Sequence, residues 1–405
     1  TNHIKARLLM EPAENAVPYI QTKFFAGKNF NYQTDYYVPM DIVEQFPKIT
    51  LDEKCILFSI VGASIGNVGL FPGERKCFLG GAICVAKVLP QYDVDYVYYC
   101  VESHNVQHQI RRKTKGAGQA TITVEDIREF EIPLPPIEIQ SEIVRILDNF
   151  TNLTAELTAE LTARKMQYSY YRDNLLSFNM PVSKKKIGEI TRVFSAARVH
   201  KNEWMQEGVP FYRSSDVISK FNGVENSRGK AYISFDLYKR LSAKSGKIMK
   251  DDILITGGGT IGIPYVVPSD EPIYVKDADL LCIQKSKEFN SRFLYHYFLS
   301  TEFRKYLENI THNATIAHYT ISQIENTPVP LPPLDVQNRI VNVLDYFEKI
   351  CSDLNIGLPA EIEARQKQYE YYRDKLLTFA ETGNTILSRA EQSRAEPVSY
   401  THLTL

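Results

Sequence analysis

The sequence predicts an α+β protein: two similar mixed α/β domains, each followed by a long helix. Two observations carry this expectation, a helical block that occurs twice and a mixed strand-and-helix pattern that precedes each copy. The first block opens at Pro133 with PLPPIEIQSEIVRILDNF and closes with QYSYYRDNLLSF; the second opens at Pro330 with PLPPLDVQNRIVNVLDYF and closes with QYEYYRDKLLTF. Pro133 maps onto Pro330 with an offset of 197 and Tyr168 onto Tyr369 with an offset of 201, so the second copy carries four extra residues in its middle. A repeat of this length is read as architecture before anything else.

Each block starts with a Pro pair, which ends the preceding element and is tolerated at a helix start. Ile139, Ile143, Ile146, Phe150, Leu153 and Leu157 then recur at helical spacing, continued by Tyr168, Tyr171, Leu175 and Phe178. Ile340, Val343, Phe347, Ile350 and Leu354 form the matching stripe. About 40 residues at 1.5 Å each give a rod of roughly 60 Å. One apolar stripe needs a cover, either the other rod or the domain the helix belongs to. Thr154–Leu157 and Thr158–Leu161 are a perfect TAEL tandem of strong helix formers. Adding or removing one unit keeps the helix and changes its length by about 6 Å, as a removable ruler segment or a plain spacer would. Asn355, Gly357 and Pro359 stand in the matching region of the second copy and predict a break or kink.

The chain divides into a first domain at 1–136, a rod at 137–180, a second domain at 181–333, a rod at 334–380 and a tail at 381–405. In the first domain, Cys55–Phe71 reads as two strands around a Gly-rich turn, Ala82–Leu89 as a strand, Asp93–Lys113 as one helical segment, and EIPLPP as strand-like. The second domain repeats this order, with Ser64-Ile65-Gly66 against Thr260-Ile261-Gly262 and Thr123 against Thr320. The opening TNHIKARLLMEP falls inside a domain and suggests N-terminal truncation, and the aperiodic tail suggests disorder or a read-through or cloning scar.

With 44% hydrophobic and 23% charged residues the composition is that of a soluble globular protein, and no apolar run reaches membrane-spanning length. Six cysteines without paired spacing suggest neither a disulfide framework nor a zinc site and fit a reducing cytoplasm. A net charge of -1 argues against indiscriminate DNA coating but allows local basic surfaces. Gly257, Gly259 and Gly262 spell GxGxxG, yet IPYVVPS comes next where a dinucleotide site requires a helix, so a tight β-turn is expected. His104 and His108 have i, i+4 spacing with no third metal ligand. The chain contains neither an Asn/Asp-Pro-Pro-Tyr/Phe motif nor a phosphate loop, so catalysis and its cofactors are assigned to partners.

In combination, the paired LPP-x3-Q-x2-IV-x2-LD and QYxYYRD elements resemble the specificity subunit of type I restriction-modification systems over nearly all of residues 1–380. The resemblance implies two similar mixed α/β target recognition domains, joined and spaced by two long antiparallel coiled-coil helices. Each domain would read one half of a bipartite site on double-stranded DNA, and the rods would fix the spacer. The rods would also dock two methyltransferase subunits, and the resemblance allows two restriction subunits to add to them. S-adenosylmethionine, ATP and Mg would belong to those subunits, this chain binding no cofactor and no metal and having no membrane partner. Open alternatives are a coiled-coil scaffold and an orphan DNA-binding protein.

For DNA contact, the basic and polar residues of the entry loops and of the turn after the helical segment are the candidates: Lys23, Lys28, Lys113, Lys115, Gln119 and Thr121 in the first domain. Arg213, Ser214, Arg228, Lys230, His312, Asn313, Thr315 and His318 are their counterparts in the second. Ile143, Leu147, Phe150, Leu157, Tyr171, Ile340, Leu344, Phe347 and Tyr372 are the candidates for rod pairing and subunit docking. Arg172 and Arg373, each followed by Asp, would either bridge the rods or meet the methyltransferase.

Overall fold

A computed structural model of the chain describes residues 7–382, apart from 26, 29, 33, 117–119, 179–181, 225, 227–228, 312–317 and 353–356. The expected tail therefore lies outside the described residues from 383 onward. The chain forms two compact units, residues 1–155 with 364–405 and residues 156–363. Each unit thus contains one domain, the beginning of the rod that comes after it and the end of the other rod. The sequence division into separate domains and rods does not show this, because a helix boundary is local while burial is shared.

In the first unit, Ala16–Ile20 lies between antiparallel Tyr37–Pro39 and parallel Cys77–Leu79, with Thr50–Leu51 beyond. Cys55–Ser59, buried along its whole length, pairs antiparallel with Val68–Phe71 and Ile83–Ala86. The expected single helical segment is two helices, α1 (Val94–Glu102) and α2 (His104–Lys113). Asp93 starts α1 by accepting from the N–H groups of Asp95 and Tyr96. Ser103 has extended backbone, ends α1, and its hydroxyl accepts from Val106 N in the first turn of α2. Apolar periodicity alone runs through such an elbow.

The second unit repeats the frame. Val209–Tyr212 is flanked by antiparallel Tyr232–Ile233 and parallel Tyr274–Val275, and Ile253–Thr256 by antiparallel Pro264–Val266 and Leu280–Ile283. The glycine-rich segment makes the hairpin turn into Pro264–Val266, with Gly259 at φ +74° and Gly262 at φ +73°. A Cβ on Gly262 would lie 2.5 Å from Leu307 Cδ2, so the turn needs glycine there for packing as well as for backbone. Thr123 and Thr320 both close capping boxes on short helices, with Asp126 and Gln323 as partners. EIPLPP is the exception: Pro328–Pro330 pairs with Lys184–Lys186, whereas residues 131–133 form no strand among the described residues.

The first rod is one helix, α3 (Ile137–Leu176), which begins in the first unit and ends in the second. The second domain carries α4 (Ser291–Leu299) and α5 (Thr301–Thr311), and the second rod is α6 (Leu334–Ser352) followed by α7 (Leu358–Thr382). Leu354 of the expected stripe and Asn355 of the expected break lie outside the described residues, while Gly357 lies between α6 and α7 and Pro359 sits in the first turn of α7. Ile143 and Leu147 join Tyr96, Tyr98 and Tyr99 of α1 and Tyr369 and Leu377 of α7 in one core. Ile340, Val341 and Leu344 join Phe293 and Phe298 of α4 and Leu176 of α3 in another. The stripes are covered by the domain and by the other rod's end together.

The buried edge of each rod is not quite the apolar one. Ile139 is exposed, and Gln140 beside it is 1% exposed. Gln140 accepts from Asp93 N at 3.0 Å and donates to the Pro135 carbonyl at 2.7 Å. Gln337 likewise accepts from Asn290 N and donates to the Pro332 carbonyl, both at 2.8 Å. The glutamine of the repeated motif thus ties each rod's Pro-rich start to the residue that caps α1 or α4. Replacing Gln337 or Gln140 by Ala strands a buried N–H and a carbonyl, which costs roughly 2–4 kcal/mol. Urea unfolding of each variant should show the loss, and accelerated hydrogen exchange should begin at the first turn of α4 or α1 respectively.

Candidate nucleic-acid interface

Each domain is held to the rods at two carboxylates. Near each rod's start, Asp148 accepts from Tyr99 Oη at 2.5 Å and from Lys28, which also pairs with Asp95 at 2.8 Å. At the equivalent place Asp345 accepts from Arg292 and from His296 Nε2 at 2.7 Å, and Arg292 also reaches Glu348. Burial opposes charge on Asp345, but His296 and Arg292 outweigh it and hold the carboxyl below its usual range. Tyr168 Oη lies 2.9 Å from His296 Nδ1, so a neutral imidazole protonated at Nε2 satisfies both partners. Burial accordingly pushes the His296 pKa down.

At the rod ends, Asp173 accepts from Thr301 N at 3.1 Å and from its hydroxyl at 2.5 Å, and Asp374 accepts from His104 N at 3.4 Å. Both carboxylates sit at the first turn of a domain helix, where exposed N–H groups favour negative charge. Arg172 and Arg373 are folded back onto Asp173 and Asp374, over the rings of Tyr168 and Tyr369, and Arg373 also faces Glu102 at 3.8 Å. This corrects the expectation that the arginines bridge the rods: they belong to the domain-to-rod clamp, with Arg373 at 8% exposure. Phe150 stacks on Tyr372 at 5.5 Å in the first unit and Phe347 on Tyr171 at 5.4 Å in the second. Ile143, Leu147, Ile340 and Leu344 are buried and Leu157 is half-buried.

The DNA candidates divide. Lys115 and Thr121 are exposed, exchange two backbone hydrogen bonds, and sit beside the glycine turn, where Val61 bridges Thr121 and Gly62 N donates to the Ala120 carbonyl. His318 is exposed beside Gly258 of the second domain's turn, and Tyr319 N donates to the Gly257 carbonyl. Both domains therefore set the described end of this loop, Ala120–Thr121 and His318–Tyr319, against the glycine turn. Lys113 pairs with Glu129, and Lys23 pairs with Asp35, so neither is a bare cation. Lys28 and Arg213 are corrections. Lys28 is committed to Asp95 and Asp148; Arg213 is 9% exposed, bonded to Asp216 and the Gly229 carbonyl, and lies over Trp204. Arg213 is buried and Lys28 half-buried, and both are already paired within the fold. Ser214 is the half-buried first residue of helix Ser214–Phe221. Gln119, Arg228, His312, Asn313 and Thr315 lie outside the described residues.

Lys230 is exposed and lines a 360 Å³ hollow with Tyr212, Tyr232, Asn226 and Lys220. Lys220 was not among the candidates; its ammonium sits 5.2 Å from the Tyr212 ring and 5.4 Å from the Tyr265 ring. In sequence it is a lysine in the last turn of a helix, indistinguishable from ordinary C-terminal charge. His296, Asp345 and Glu348 are the only grouping with metal-ligand spacing among the described residues, and Arg292 already serves both carboxylates.

Two further features repeat. A 240 Å³ cleft in the first unit is lined by Ser103, His104, Asp374 and Leu377, and a 340 Å³ cleft in the second by the equivalent Ser300, Thr301, Asp173 and Leu176. Tyr170 and Tyr371, at matching rod positions, are 67% and 54% exposed, and Ile137 and Leu334 are also exposed. No helix among the described residues is long and apolar enough to cross a membrane.

Comparison with known proteins gives one answer. Residues 11–164 and 179–364 match the type I restriction modification DNA specificity domain. A candidate type I restriction enzyme specificity subunit of Haemophilus influenzae is 34% identical over 275 residues, 65% of this chain and 68% of that protein. The EcoR124I/EcoR124II specificity subunit of Escherichia coli is 33% identical over 265 residues, 62% of this chain and 63% of that protein. Among solved structures, the S subunit of a type I restriction-modification system from M. genitalium covers 92% of this chain at 15% identity with a TM-score of 0.51. A chain from a type I system, solved to explain complex assembly and conformational transition, covers 89% at 15% identity with a TM-score of 0.60. At that identity the two structures speak for the fold.

Two outcomes separate clamp from interface. Lys28→Ala leaves Asp95 and Asp148 facing each other and should destabilise the chain by roughly 1–3 kcal/mol in urea unfolding. Lys115→Ala and Lys230→Ala should leave stability within about 0.5 kcal/mol, while each lowers the salt slope of DNA binding by about one. For His296 the folded pKa lies below the unfolded value of 6.5, so the unfolded chain takes up the proton first. Stability should be fully present above pH 6.5 and fall as pH drops through the folded pKa. His296→Tyr, the residue type at Tyr99, should remove this slope in pH-dependent unfolding.

Proposed function

The chain belongs to the type I restriction-modification DNA specificity family, and on that premise we propose that each domain reads one half of a split, asymmetric DNA site while the rods fix the spacer between them. The carrying observation is that both domains share one frame and one clamp yet place different side chains on the loop beside the glycine turn, Lys115 and Thr121 in one and His318 in the other. Shared scaffolding with divergent loop chemistry suits two readers of unrelated half-sites. Lys and Arg at the rim would hold phosphates, and polar side chains would meet base edges.

The chain serves as a non-catalytic subunit in this reading. Two methyltransferase subunits dock on its two equivalent rod ends, where the paired clefts and the exposed Tyr170 and Tyr371 offer the same surface twice. Methyl transfer from S-adenosylmethionine belongs to those subunits, and ATP- and Mg-dependent cleavage to restriction subunits that join them in the cytoplasm. Clusters of exposed aromatic side chains on an otherwise polar rod are the kind of patch that partner proteins cover.

Single-molecule methylome sequencing of cells co-expressing the chain with its methyltransferase tests the reading. A split methyladenine motif that appears only with this chain is expected; an active methyltransferase giving no such motif would overturn it. Inserting one TAEL unit after Leu161 lengthens α3 by about 6 Å. The recognised spacer should grow by one to two base pairs, at about 3.4 Å per pair, with both half-sites unchanged.

A further inference from the structure

We infer that the second unit contains a phosphate-binding site, in a 570 Å³ cavity lined by Arg172, Lys220, Arg292, Arg304, Glu348 and three tyrosines. Its volume is in the range of small-molecule sites, about 300–1,000 Å³. Four cations and one carboxylate face this space. Arg292 is matched by Asp345 and Glu348, and Arg172 by Asp173. Arg304 and Lys220 form no salt bridge among the described residues: Arg304 donates one N–H to the Ile261 carbonyl at 3.2 Å and feels Glu308 only at longer range, and Lys220 rests against the rings of Tyr212 and Tyr265.

The first unit shows that this charge is not needed for the fold. Arg304 aligns with Gln107, which anchors the equivalent turn by donating to the Gly66 carbonyl at 3.2 Å without any charge. Arg373, the counterpart of Arg172, faces Glu102, but Leu299 stands at the place of Glu102 in the second unit and lines the cavity. A guanidinium is therefore added and an acid removed at corresponding positions. Burial and the like charge of Arg172 push the Arg304 pKa down, and the charge of Glu308 offsets them only in part. A phosphate would supply a direct anionic partner: guanidinium and ammonium donors converge on it, and the tyrosine walls suit a nucleotide base or a sugar-phosphate backbone.

The phosphate comes either from the DNA backbone or from a free nucleotide, and one set of measurements separates them. Sodium pyrophosphate, added to the full chain at constant ionic strength, should raise its thermal midpoint. Arg304→Gln, which keeps the turn bond as Gln107 does, and Lys220→Gln should each weaken pyrophosphate binding by about tenfold. With a backbone phosphate in the site, both variants also lower the salt slope of duplex binding by about one, and pyrophosphate competes with the duplex. With a free nucleotide, duplex binding is unchanged and ATP affinity falls with that of pyrophosphate. Wild-type affinity of both variants for pyrophosphate, ATP and duplex alike would overturn the site. The pyrophosphate measurement involves no DNA, so a chain that bound no duplex would defeat the reading of DNA half-sites and leave this one to be decided on its own.

Discussion

Asp173 and Asp374 each come from the end of one rod to accept hydrogen bonds at the first turn of a helix in the domain they meet. The packing of each unit depends on that capping contact. The N–H groups at a helix start have no partner of their own helix, and a carboxylate supplied from another element both satisfies one and complements the local positive potential. The neighbouring Arg lies back on the same Asp, over a Tyr of its own rod, so the polar end of the clamp is closed. Behind it the apolar stripe of the rod end meets α1 or α4 and the start of the other rod in one core.

Within that frame the chemistry is free to diverge. Tyr99 and His296 occupy the same helical position and both serve a carboxylate of the rod, Asp148 and Asp345. Asp95 and Arg292, one turn earlier, have opposite charge, and each is paired locally, with Lys28 and with Asp345 and Glu348. Buried charges tolerate exchange of sign only when their partners exchange with them. The backbone devices, by contrast, are kept in both units: the capping boxes at Thr123 and Thr320, the glycine turns, and the glutamines that fasten the rod starts. Geometry is held constant while the polar interior and the loops vary, as a scaffold presenting two different recognition surfaces requires.

Much of this was legible in the sequence because it rests on period and on repetition. The rods follow from apolar spacing, the hairpin turns from glycine before β-branched residues, and the two-domain plan from the aligned repeats. The site was less legible. Lys28 and Arg213 read as surface cations, since nothing local reveals that Asp148, 120 residues away, and the Gly229 carbonyl would claim them. Lys220 read as helix-end charge because Tyr212 and Tyr265 reach it from strands of two different sheets.

The sequence by itself determined the repeat, the helical rods and the family resemblance, because these depend on local spacing and on motifs that survive in linear order. Tertiary structure alone decided that each compact unit combines one domain with the start of one rod and the end of the other. It also decided that Arg172 and Arg373 fasten rods to domains, and that Arg304 forms no salt bridge among the described residues. Those outcomes depend on which charges and apolar faces share one buried volume, and sequence distance carries no information about that.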